Sequence, residues 1–204
     1  LNNHAASRYQ MADYEGAESL YKEVIRDGGL YGVKRSVTFA KINLSNVYQT
    51  INRQDEAYEL MSSSIESIKA QKQSFYLYNS YLTMSSILID MNRLIEAREY
   101  LDMAKELLET EGGDAFIYYD REIVFNFIIG DYRSALENNL KHLAHIAQMS
   151  APELAGSNFF DNAIKILLDD RYSIDEMSST IKKIFKKEFL GNDLNLYTFF
   201  WFFK

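Results

Sequence analysis

Gly130-Asp131-Tyr132-Arg133-Ser134-Ala135 reads as the end of one helix, a tight turn and the start of the next. Glycine accepts the left-handed backbone that closes a helix. Closely similar stretches recur upstream. They are Ala12-Asp13-Tyr14-Glu15-Gly16-Ala17, Asn52-Arg53-Gln54-Asp55-Glu56-Ala57 and Asn92-Arg93-Leu94-Ile95-Glu96-Ala97. The closing alanines, Ala17, Ala57, Ala97 and Ala135, follow one another at 40, 40 and 38 residues. A degraded fifth copy, Asp170-Arg171-Tyr172-Ser173-Ile174-Asp175, comes 40 residues later with Asp175 in place of the alanine. Asn, like Gly, tolerates the left-handed conformation, and Asp does so to a lesser degree. Ala12 suits it least. The small alanine lets two helices approach closely.

Between turns the pattern is helical. Ala40, Leu44, Val47, Tyr48 and Ile51 share one face at three- and four-residue spacing, as do Leu94, Ala97, Leu101, Ala104 and Leu108. Ser150-Ala151-Pro152-Glu153 and Ser173-Ile174-Asp175-Glu176 match a capping box. Eleven helices are expected, over 2–11, 14–27, 34–51, 54–71, 74–91, 94–110, 114–129, 132–149, 151–169, 174–189 and 193–204. Gly28-Gly29 and Gly112-Gly113 are expected to be loops joining successive pairs.

Paired helices, the Gly/Asn-Asp-Tyr turn and the following Glu-Ala resemble the tetratricopeptide repeat family, with Gly130–Ala135 the best match. The resemblance implies an all-α fold. It implies a right-handed superhelical solenoid of about five helical hairpins, filling 1–204 as one repeat domain. The repeats fall at 1–29, 34–72, 74–111, 114–149 and 151–190, with a partial sixth at 192–204. The period of 38 to 40 exceeds the family's usual 34 or so, which lengthens each helix by nearly one turn. Such long repeats are similar to those of bacterial regulators that sense peptides, and of helical sensor domains joined to helix-turn-helix modules.

Composition agrees with this class. Of 204 residues, 47% are hydrophobic, and only one proline and nine glycines interrupt them, too few for a turn-rich β protein. A net charge of −7 disfavours phosphate-backbone contacts and attraction to an anionic membrane. The absence of cysteine excludes disulfides and thiolate metal sites and leaves the compartment open, with the cytoplasm the leading expectation and an extracytoplasmic sensor the other. No phosphate-cradling loop or nucleophile elbow occurs, so no catalytic residue, no cofactor and no enzymatic activity is expected. His142 and His145 share a helix face but have no acidic residue at the spacing that completes a ligand set, so they are read as face residues, and no metal is expected. Lys182, Lys183, Lys186 and Lys187 are read as a solvated face complementing a helix dipole.

In tetratricopeptide arrays the first helix of each pair lines a concave groove. The resemblance therefore implies a ligand groove containing Tyr9, then Phe39, Asn46 and Gln49, then Asn79 and Ser86, then Asp120 and Phe127, with Leu82 and Ile89 beside them. Asn and Gln both donate and accept, which suits the backbone of an extended peptide. Asn46, Gln49 and Asn79 are the expected clamps. Where repeats that bind the acidic tails of chaperones carry groove lysines and arginines, the matching positions here hold Asn, Ile, Leu and Thr, with only Arg121 basic, so that function is not expected. The expected function is non-catalytic binding of a protein or peptide, as the sensor or scaffold part of a bacterial regulator and with no nucleic acid bound by this segment. The alternative is an assembly module that dimerises through the aromatic stretch Leu194 to Phe203. That stretch is also open to reading as the start of a membrane helix or of a truncated sixth repeat.

Overall fold

The structure, a computed structural model, describes residues 1–70 and 74–146, with the side chains of 74, 75, 140 and 142–146 excepted. The expected helices beyond residue 147, the fifth and sixth repeats, the lysine patch and the aromatic stretch lie outside the described residues, as do the side chains of His142 and His145. The protein is all-α: the described residues form eight helices and no strand. They are α1 (Asn2–Gln10), α2 (Tyr14–Leu30), α3 (Lys34–Thr50), α4 (Gln54–Ala70), α5 (Ser74–Asp90), α6 (Leu94–Glu111), α7 (Ala115–Ile128) and α8 (Tyr132–Ile146). No described helix is long and apolar enough to cross a membrane.

Two compact units divide the chain, Leu1–Asp114 and Ala115–Lys204. In the first, α1 to α6 each pack against the next helix in sequence, and α3 also meets α1 and α5. In the second, α7 packs on α8.

Four hairpin turns share one hydrogen-bond pattern, and it explains the repeated motif. Ala12, Asn52, Asn92 and Gly130 all have positive φ, at 58°, 63°, 57° and 79°. The amide after each bonds back to the carbonyl five residues earlier, Asp13 to Arg8, Arg53 to Tyr48, Arg93 to Leu88 and Asp131 to Asn126, at 2.8–2.9 Å. This is the Schellman closure, in which a left-handed residue lets the chain satisfy the last carbonyls of a helix. The next helix begins at once, because the alanine amides of Ala17, Ala57, Ala97 and Ala135 bond to the carbonyls of Asp13, Arg53, Arg93 and Asp131. Asp13 caps α2 by accepting from the Gly16 amide at 2.9 Å, and Asp131 caps α8 by accepting from Ser134 at 3.1 Å. All four alanines are fully buried.

Gly28-Gly29 is not a loop. Both glycines lie inside α2, which runs three residues past its expected end. The left-handed closure is supplied by Gly32 instead (φ 68°), where the Val33 amide returns to the Gly28 carbonyl at 2.9 Å. Gly28 has a packing role: a Cβ there would stand 2.6 Å from Val37 Cγ2 on α3. Gly112 does leave the helix, with φ 81°.

Core positions follow the helical period. Ala17, Tyr21 and Val24 are buried on α2, Ala57, Met61, Ile65 and Ile68 on α4, and Ala97, Leu101 and Ala104 on α6. α5 differs, because it meets α3, α4 and α6. Tyr78, Tyr81, Leu82, Met84, Ile87, Leu88 and Ile89 are all buried along it, as expected of a helix flanked on several sides. Leu82 and Ile89 are therefore core residues and not groove residues.

Candidate functional site

The odd-numbered helices of the first unit stand side by side, and their facing side chains are paired one repeat apart. Asn2 Nδ2 on α1 donates to the carbonyl and hydroxyl oxygens of Ser36 on α3 at 3.3 and 3.2 Å. Tyr9 Oη and Thr50 Oγ1 lie 2.8 Å apart. Between α3 and α5, the Phe39 and Tyr76 rings meet edge to face at 4.8 Å. At the other end, Gln49 Nε2 donates to Ser86 Oγ at 2.8 Å and to Asp90 Oδ2 at 2.6 Å.

These pairs place the expected groove residues. Gln49 and Ser86 are brought together, but each is a partner of the other, so Gln49's donor is already engaged. Phe39 is half-buried against Tyr76. Asn46 is half-buried and Asn79 exposed, and neither amide side chain makes a hydrogen bond among the described residues. Tyr9 and Phe127 do similar work in different hairpins. Each ring packs on the tyrosine of its own turn, Tyr9 on Tyr14 at 5.7 Å and Phe127 on Tyr132 at 5.3 Å. Asp120 and Phe127 belong to the second unit, where Asp120 accepts from Arg121 at 3.0 Å.

The helix-pair turns carry a second kind of cross-repeat link that periodicity did not single out. Arg53 Nη1 donates to both carboxylate oxygens of Glu18 at 3.0 Å, and its guanidinium lies 4.0 Å from the centre of the Tyr48 ring. Arg53 also pairs with Glu56. Arg93 repeats the arrangement one unit on, pairing with Glu96 at 2.6 Å and lying 4.4 Å from the Tyr58 ring. Burial opposes the charge on Glu18, but hydrogen bonds from Lys22, Arg53 and Tyr48 together outweigh it and hold the carboxyl below its ordinary value. A recurring arginine directly after the left-handed residue was the available sequence signal.

In the second unit Glu122 is buried. Its carboxylate accepts from Tyr118 Oη at 2.8 Å and from Asn126 Nδ2 at 3.0 Å. An open hollow of about 450 Å³ is lined by Asn2, Val24, Asp27, Gly28, Tyr31 and Ser36, among others. Asn2, which the repeat register also places on the groove side, borders it, whereas Tyr9, Phe39, Asn46, Gln49, Asn79, Ser86, Asp120 and Phe127 do not. Among the described residues no group of three or more His, Asp or Glu side chains is placed to hold a metal ion.

No protein-family model matches the chain, and no curated protein matches it. Among solved structures it is similar to BtubC (BKLC) from P. vanneervenii, with a TM-score of 0.67 and 18% sequence identity over 94% of this chain and 80% of that one. At that identity the likeness concerns the fold alone.

Proposed function

We propose that the helical hairpins stack as a right-handed solenoid of the tetratricopeptide-like kind, and that the face shared by α1, α3 and α5 binds an extended peptide or protein segment without catalysis. The observation that carries this reading is the contrast among the polar groups of that face. Asn2, Tyr9, Gln49 and Ser86 hold neighbouring repeats together, whereas the amides of Asn46 and Asn79 hold nothing. An amide with both a donor and an acceptor to offer matches a peptide backbone. A half-buried amide in mid-face is well placed to exchange water for such a partner. The module then acts as the sensor or scaffold part of a bacterial regulator.

The test is cross-linked co-purification from source cells expressing the intact gene, comparing wild type with the Asn46→Ala, Asn79→Ala double variant. A peptide or protein recovered with wild type and lost with the variant supports the reading. Recovery of the same partners with both variants sinks it, because the two free amides then make no difference to binding.

A further inference from the structure

The hollow of about 450 Å³ lies where the start of α1, the end of α2 and the start of α3 meet. That volume falls within the roughly 300–1,000 Å³ usual for small-molecule sites. Its wall includes the buried Val24, and Tyr31 and Val33, 82% and 49% exposed, open it to solvent. Two oxygens of its lining are short of donors. Asn2 spends its Nδ2 on Ser36, which fixes the orientation of the amide. Its Oδ1 is then a buried acceptor to which no described residue donates, a costly arrangement that calls for a donor from elsewhere. Asp27 Oδ1 accepts from Arg26 Nε at 2.8 Å, and among the described residues nothing donates to its Oδ2. Asp27 is also the one charged side chain of the lining among the described residues. Lys34 and Arg35 open α3, but neither borders the hollow. The last turn of α2 has no basic residue to meet the negative end of its dipole.

We propose that this hollow binds a primary ammonium group carried on a compact apolar body. An ammonium offers three donors and no acceptor, which matches a lining whose unmet needs are all for donors. It supplies the donor that Asn2 Oδ1 lacks, and it meets the Asp27 carboxylate through a charge-assisted hydrogen bond, the stronger kind. Val24, Val33 and the Tyr31 ring receive the apolar body. A carboxylate or phosphate ligand brings acceptors to oxygens that cannot donate, and its charge opposes that of Asp27. An alcohol brings one donor and no charge. A quaternary ammonium brings the charge without an N–H. Asn2 thus has two tasks, tying α1 to α3 through its nitrogen and presenting its oxygen to the ligand. Of the residues on the groove side only Asn2 borders the hollow, so the inference does not rest on the peptide-binding reading above.

The experiment titrates the whole chain with phenethylammonium, 2-phenylethanol and trimethylphenethylammonium, following amide resonances by NMR. A fourth probe, the tripeptide amide Phe-Gly-Gly with its α-amine free or acetylated, asks whether a peptide end can supply the same group. Phenethylammonium is expected to bind about tenfold more tightly than the alcohol or the quaternary ion, and to shift the side-chain amide signals of Asn2. Comparison of its affinity with that of the free-amine tripeptide identifies the source of the ammonium. Asp27→Asn, which keeps the shape and removes the charge, is expected to cut ammonium binding about tenfold and to leave alcohol binding within about twofold of wild type. Asn2→Ala is expected to weaken the ammonium as well, and melting curves show whether that variant folds. If it does not fold, Asp27→Asn decides alone. Equal affinity for ammonium and alcohol overturns the inference, as does ammonium binding that Asp27→Asn leaves unchanged. Shifts confined to residues away from Asn2, Val24 and Ser36, or no binding of any amine, overturn it too.

Discussion

Glu18 on α2 and Arg53, 35 residues later at the turn before α4, are joined by two 3.0 Å hydrogen bonds from one guanidinium nitrogen. The pair spans two successive hairpins, so its strength reports on how firmly one repeat holds the next. The Glu18 carboxyl lies below its ordinary value of 4.5 in the fold. A depressed folded-state value contributes stability that is present above the unfolded value and lost as pH falls through the folded one. Wild type is therefore expected to lose stability below about pH 4.5, and Glu18→Gln to flatten that part of the profile. Denaturant melts from pH 3 to 7 (about that span) check it. Equal acid slopes in the two proteins would show that the pair does not couple the repeats.

The same clamp in two settings gives a second comparison. Arg53 meets a carboxylate of the preceding hairpin, whereas Arg93 meets the neutral Tyr58 hydroxyl at 3.3 Å. Arg53→Met is expected to cost about 1–2 kcal/mol and Arg93→Met about 0.5–1. Urea denaturation of the two variants ranks them, and the reverse order would sink the argument.

Ala12 holds the left-handed turn position that Asn52, Asn92 and Gly130 hold elsewhere. A Cβ in that conformation is strained by roughly 1–2 kcal/mol. Ala12→Gly is expected to stabilise by about 0.5–1 kcal/mol after the entropy of the more flexible unfolded chain is subtracted, and Gly130→Ala to destabilise by about 1. Opposite shifts in melting temperature are the signature.

Gly28 and Gly29 are neighbours in α2 with opposite surroundings. A Cβ on Gly28 meets Val37 Cγ2 at 2.6 Å, while one on Gly29 meets nothing within 4 Å. Gly29→Ala is expected to stabilise by about 0.5–1 kcal/mol, as alanine does in a helix interior. Gly28→Ala is expected to destabilise by about 1–2 kcal/mol through overpacking, and adding Val37→Ala should recover part of that loss. Identical effects of the two alanines would contradict the close approach of α2 and α3.

Two amides that look alike in sequence should separate function from stability. Gln49→Ala removes hydrogen bonds to Ser86 and Asp90 and is expected to cost about 1–2 kcal/mol. Asn46→Ala removes none and should leave stability within about 0.5 kcal/mol of wild type. A large loss from Asn46→Ala would mean that its amide is structural, and the proposed clamp would be lost with it.

Sequence alone determined the elements whose causes are local. The four hairpin turns, their left-handed residues and the alanines that follow them all depend on bonds that close within about six residues. Such bonds leave a mark in residue type and spacing, and the repeat made the mark legible four times. Where one local signal competed with another, as with Gly28-Gly29 against Gly32, the glycine pair misled. A helix tolerates glycine in its interior, and the single left-handed residue marks the end.

The candidate face was legible only as a list of positions on one side of each first helix. Tertiary structure decided which of those positions are spent on neighbours and which remain free. Gln49 meets Ser86 at an offset of 37 residues, Tyr9 meets Thr50 at 41 and Arg35 meets Tyr76 at 41. These offsets follow from how far each helix is rotated and shifted against the next, and a period of 3.6 residues specifies a face without specifying its alignment. The burial of Leu82 and Ile89 has the same origin, since α5 packs against α3, α4 and α6 while its sequence names none of them.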